Sequence, residues 1–155
     1  MKPVFDDYVT SVLNSVGWDE SRLVDSTHSI DVLRNAGFVP TVHVENFLSS
    51  FGGLRFTPPA NPEGAYRPGE LSFNLEDPIC DFELVSYWAK EYGEMFCPVG
   101  AACERATVVI GNGERFYLLS DIGIHLVGES VVECMNCLVG AYTKPSVVLL
   151  APGEE

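Results

Sequence analysis

Ala106-Thr107-Val108-Val109-Ile110, then Gly111-Asn112-Gly113-Glu114, then Arg115-Phe116-Tyr117-Leu118-Leu119, places two runs rich in β-branched and aromatic residues on either side of a Gly-Asn-Gly reversal. That pattern predicts an antiparallel hairpin, because glycine and asparagine tolerate the positive φ angles that a tight turn between strands requires. The same glycines superficially resemble a phosphate-binding loop. They lie between two strands instead of ahead of a helix, however, and no Lys-Ser/Thr pair follows, so they read as a turn.

Working outward, residues 122–127 add a third antiparallel strand. Ser130 then caps a helix with Val131, Cys134, Met135 and Leu138 on its inner side, ending at Gly140. Val147-Val148-Leu149-Leu150 reads as a further strand, and the tail from about residue 151, Pro152-Gly153-Glu154-Glu155, is expected to fray. On the N-terminal side, helical spacing recurs three times before any clear strand. Tyr8, Val9, Val12, Leu13 and Val16 precede a stop at Gly17; Ile30 and Leu33 follow a cap at Asp25 or Ser26 and end at Gly37; Val44, Phe47, Leu48 and Phe51 follow Thr41 and end at Gly52-Gly53. Leu54-Arg55-Phe56 begins a sheet, and a loop rich in proline and glycine leads to Leu71-Ser72-Phe73-Asn74-Leu75, whose alternation predicts a half-buried strand with its polar side in water. An acidic turn from Glu76 to Asp81 opens a helix with Leu84, Val85, Trp88 and Tyr92 on one face and Gly93 as its stop. Met95 to Val99 is a short strand. The expected architecture is α+β, a mainly antiparallel sheet flanked by short helices, in a single domain over residues 1–155.

Composition bounds the function. A chain of 155 residues with 46% apolar and 11% aromatic content can bury a core without staples. Nine basic against 22 acidic residues leave a net charge of -13, which repels phosphate backbones and anionic lipid and favours a basic protein partner. The competing explanation is that the acidity only keeps the chain soluble. The start, Met1-Lys2-Pro3-Val4-Phe5, has no apolar leader, and the five cysteines are odd in number and scattered, so the cytoplasm is the expected compartment.

No constellation reads as catalytic. Cys134-Met135-Asn136-Cys137 has the spacing of a redox or zinc half-site. It lacks a second ligand pair, since Cys80, Cys97 and Cys103 form no second CxxC and His28, His43 and His125 are isolated. The two cysteines read better as small buried hydrophobes, and no metal or other cofactor is expected. Trp18 and Trp88 are potential interface anchors, but their helical positions favour core packing. The acidic turn stands apart: Glu76, Asp77, Asp81 and Glu83 surround Ile79 and Phe82, which look exposed, beside the conformational restraint of Pro78. It is the candidate partner-binding surface, against the plainer reading of a solvated loop.

The ordered set Gly17-Trp18, Arg22, Val24-Asp25, Gly37, Phe47 to Leu54, Tyr92-Gly93, Pro98-Val99-Gly100, Gly113 to Tyr117 and Gly128-Glu129-Ser130 leading to Glu133, Leu138 and Gly140 resembles the SUKH superfamily of bacterial immunity proteins, most closely its third subgroup. Two positions depart from the subgroup, Glu20-Ser21 where it favours Pro-Gly and Thr27-His28 where an aromatic is expected. The resemblance implies an α+β fold and a protein without catalytic residues that binds and neutralises a cognate secreted toxin, often a nuclease or another enzyme with cytosolic targets. The same features suit a regulatory adaptor of that superfamily bound to a host protein. A thiol oxidoreductase using Cys134 and Cys137 is the third class.

Overall fold

The computed structural model describes residues 3–154; Met1, Lys2 and Glu155, read above as parts of the leaderless start and of the fraying tail, lie outside the described residues. Three helices come first, α1 (Asp7–Ser15), α2 (Thr27–Asn35) and α3 (Val42–Phe51), followed by strands β1 (Arg55–Phe56) and β2 (Leu71–Ser72). Helix α4 (Phe82–Tyr92) precedes β3 (Cys97–Ala102), β4 (Ala106–Ile110), β5 (Phe116–Ser120) and β6 (Gly123–Gly128). Helix α5 (Val131–Leu138) and strand β7 (Ser146–Leu150) complete the chain. Among the described residues the strands form one antiparallel sheet in the order β1 to β7, each pairing with its neighbour in the chain.

The predicted hairpin is the centre of that sheet, in the register Val108↔Leu118, Val109↔Tyr117 and Ile110↔Phe116. Because side chains alternate along a strand, its apolar residues divide between two faces. Val108, Ile110, Phe116 and Leu118 join α1, α2, α3 and α5 in one core. Val109, Tyr117 and Leu119 join Val85 and Trp88 of α4 in a second core on the opposite face. A sheet buried on both sides needs helices on both sides, and the long connection from β2 to β3 supplies α4 for the face that the other helices leave open.

Helix ends follow the capping residues. Asp6 Oδ1 accepts from Val9 N (2.8 Å), Thr41 Oγ1 from Val44 N (3.4 Å) and Ser130 Oγ from Glu133 N (3.2 Å). Of the two proposed caps for α2, Ser26 occupies the position without a side-chain bond, while Asp25 Oδ1 accepts from Thr27 N. At the end of α3, Gly53 takes the left-handed conformation (φ 84°). Arg22 donates to the carbonyls of Ser50 (2.6 Å) and Gly52 (2.8 Å), neutralising the negative end of that helix and giving Arg22 a structural role. Trp18 is buried and lies parallel to Phe51 at 5.3 Å, and Trp88 is buried with its indole N–H on Ser120 O (2.9 Å), so both tryptophans are core residues.

Two expectations are corrected. The strand over 71–75 pairs only at Leu71–Ser72, and its polar side faces water only at Asn74: Ser72 is 3% exposed, because the register Ser72↔Ala101↔Thr107 sets it on the α4 side of the sheet. The strand expected over Met95 to Val99 runs instead from Cys97 to Ala102, with a register shift between Pro98 and Gly100. A Cβ on Gly100 would come within 2.4 Å of Ser72 O, so close strand approach demands a residue of low β-propensity there. In the tail, residues 152–153 form a turn, and Glu154 N donates to Ala151 O at 3.0 Å.

Phe47 of α3 touches Phe51, Phe73 and Phe116 with ring centroids 5.0, 5.1 and 5.2 Å apart, joining helix, loop and sheet. We predict that Phe47→Ala costs about 3–5 kcal/mol through lost burial and a residual cavity, a large part of a typical domain's stability. An unmoved urea midpoint would show that this helix does not pack on the sheet.

Candidate functional site: the acidic turn before helix α4

The turn from Glu76 to Glu83 is held from within. Asn74 Oδ1 accepts from Glu76 N and Asp77 Oδ1 from Ile79 N, both at 3.0 Å, and Cys80 N donates to Asp77 O at 2.9 Å. Asp81 Oδ1 accepts from Leu84 N (3.0 Å) and is the N-cap of α4. Short side chains that bond their own backbone two or three residues on are the usual means of fixing such a reversal. Pro78 removes a further degree of freedom.

One residue outside the turn ties it to the sheet, and the sequence reading missed it. Thr107 on β4 is 1% exposed and points to the α4 side. Its hydroxyl donates to Ile79 O (3.2 Å) and accepts from Asp81 N (3.0 Å), so both halves of that polar group are satisfied by the turn. A threonine in a β-branched run looks like an ordinary strand residue; only the tertiary fold brings it against residues 26 to 28 positions away.

The structure brings together all six candidate contact residues, with different exposures. Glu76, Asp81 and Glu83 are exposed and Asp77 is half-buried. Among the described residues, Asp77, Asp81 and Glu83 have no cationic side chain within ion-pair distance. Glu76 meets His28 Nε2 at 2.7 Å, but both side chains are well exposed, and such a pair contributes little. The apolar pair is corrected: Ile79 and Phe82 are half-buried, not exposed, and Phe82 packs edge-on against Phe38 with centroids 5.5 Å apart. The turn is thus a rigid carboxylate surface with few apolar atoms to offer.

The cysteines are free, and Cys134 and Cys137 are fully buried. Burial pushes the Cys134 thiol well up, with Cys137 adding to it; burial likewise raises Cys137 and takes Cys97 up to about 12. Cys80 is pushed up to about 12 by burial and then by the Asp77 carboxylate. Redox catalysis needs the reverse, an accessible thiol of lowered pKa. Among the described residues no group of three or more His, Cys, Asp or Glu side chains is arranged to hold a metal ion, and no helix is long and apolar enough to cross a membrane.

Replacing Thr107 by valine keeps the shape and removes both hydrogen bonds, leaving Asp81 N and Ile79 O without their partner. We predict a loss of about 1–3 kcal/mol in urea unfolding, with faster amide exchange confined to the turn and the first turn of α4. Exchange unchanged in residues 77–84 would show that Thr107 does not hold the turn.

Comparison with protein families matches the model described as SUKH-3 immunity protein over residues 5–141, which takes in α1 to α5, β1 to β6 and the acidic turn. No curated protein and no solved structure matches the chain. The chain belongs to the SUKH-3 immunity protein family.

Proposed function

We propose that this protein binds and neutralises a cognate secreted toxin in the cytoplasm of the bacterium that makes it, acting by occlusion and catalysing nothing. The observation that carries the reading is the family match over residues 5–141. The net charge of -13 supports a finer statement: the toxin is a basic enzyme such as a nuclease, and the acidic face takes the place of the phosphates that its substrate site attracts. For the same reason nucleic acid and anionic membrane are not partners.

The acidic turn is the surface through which we expect the encounter to begin. Glu76, Asp77, Asp81 and Glu83 present carboxylates on a backbone already fixed by its own hydrogen bonds, so little conformational freedom is lost on binding. Charge at an interface rim acts mainly on the association rate and its dependence on salt.

Because Asp77 and Asp81 also bond the backbone, amide substitutions separate charge from structure better than reversal to lysine: asparagine still accepts from Ile79 N and still caps α4. We predict that Glu76→Gln, Asp77→Asn, Asp81→Asn and Glu83→Gln together slow association with the cognate toxin by about tenfold at low salt, flatten its salt dependence and leave dissociation nearly unchanged. Surface plasmon resonance at two ionic strengths reads all three. An association rate equal to that of the unaltered protein would reduce the turn to a solvated loop.

A further inference from the structure

A groove of about 700 Å3 lies beside the acidic turn, between the α2–α3 loop, the C-terminal half of α4 and the β4–β5 turn. Among the described residues nine large apolar side chains are exposed; two of them line this groove, and two more, Val42 and Tyr92, adjoin residues that line it. Val39 (62% exposed) and Met95 (66%) line the groove, and Val42 (61%) lies in the chain between Thr41 and His43, which line it. Tyr92 stacks on Phe96, which also lines it, with rings 6.2 Å apart and inclined by 8°. The other five, Val4, Leu23, Tyr87, Ile122 and Val147, do not line it. Clustered exposed apolar residues beside charged ones are the usual composition of a protein interface, whereas single ones are ordinary surface.

The groove and the turn are continuous. Phe38 lines the groove and packs against Phe82, the first residue of α4, directly after the cap Asp81. From Phe82, the positions Ser86, Ala89, Lys90 and Gly93 follow at helical spacing on one face of α4, and the last four line the groove. At 1.5 Å per residue that face runs about 16 Å, well within the span of one interface of ordinary size. The charges divide along it. The groove's own Lys90 and Glu94 cancel, while the turn carries Glu76, Asp77, Asp81 and Glu83 with no lysine or arginine within ion-pair distance among the described residues. An apolar centre poor in net charge beside a one-signed rim fits a partner whose apolar side chain is flanked by lysine or arginine.

We infer that the groove receives a large apolar side chain from a basic loop of the toxin, with the acidic turn as the charged rim of the same interface. This rests on the toxin-binding reading above. It moves the apolar contacts from Ile79 and Phe82, which the fold already half-buries, to Val39 and Met95, which are mostly exposed among the described residues. A second copy is the poorer occupant, since each chain would bring a net charge of -13 and its own carboxylate rim against the other.

The test uses the purified products of the genes flanking this one, as inactive variants, immobilised against this protein. Val39→Ser with Met95→Ala is compared with Val147→Ser, on β7 outside the groove; all three side chains are more than half exposed, so the fold should survive, and circular dichroism checks it. The expected result is dissociation faster by about tenfold or more for the double variant, an unchanged association rate, and unaltered kinetics for Val147→Ser. Unchanged dissociation of the double variant from a product that binds the natural protein overturns the groove and leaves the toxin reading standing. No binding by any flanking product overturns that reading and the groove with it. A dimer of the natural protein that the double variant breaks assigns the groove to a second copy and overturns the proposal.

Discussion

The hairpin of β4 and β5 is apolar on both faces, and this constraint shapes the whole molecule. Val108, Ile110, Phe116 and Leu118 cannot be buried by the same helices that bury Val109, Tyr117 and Leu119. The chain must therefore put helices on both sides, although α1, α2 and α3 all precede the sheet and pack on one side of it. The α4 crossover is the remedy, and it determines which part of the surface carries the acidic turn. An exposed second face would leave a large apolar area in water, at roughly 25 cal/mol for each Å2.

Thr107 is the polar exception within β4. Its burial would be unfavourable if its hydroxyl were unpaired, so its bonds to Ile79 O and Asp81 N make the acidic turn part of the sheet's own hydrogen-bond economy. On the proposed reading, a partner approaching Glu76, Asp77, Asp81 and Glu83 finds carboxylates whose backbone is anchored to a fully buried strand, and rigidity of that kind lowers the free-energy cost of association. The groove lined by Val39 and Met95 extends the same rigid face, because Phe38 and Phe82 pack together at its edge.

Much of this was legible in the residues. The hairpin followed from two β-rich runs around Gly111-Asn112-Gly113, and the helices from 3.6-residue periodicity bounded by Thr41, Ser130 and Gly93, because those signals are local. The α+β class and the family followed from the ordered pattern between Gly17 and Gly140. What escaped notice depends on contacts distant in sequence. Ser72 lies in an alternating stretch that reads as half-exposed, and only the sheet register, which sets it in line with Ala101 and Thr107 on the α4 side, buries it. Gly100 lacks strand propensity, yet β3 includes it because a Cβ there would come within 2.4 Å of Ser72 O. Phe82 looked exposed beside so many charges, and Phe38, which half-covers it, comes from a loop more than forty residues earlier. The groove could not be seen at all, since Val39 and Met95 become neighbours only after folding.

The central claim is that one rigid face, running from the acidic turn along α4 to the groove, holds a toxin. Amide hydrogen exchange of this protein with and without its bound toxin tests it most directly, because it maps the contact without altering any residue. The expected footprint is new protection in residues 76–84, 38–42 and 93–95, with β7 and the α1–α2 connection unchanged. Protection confined to β7, or to the face covered by α1 and α5, with those three segments unaffected, would contradict it.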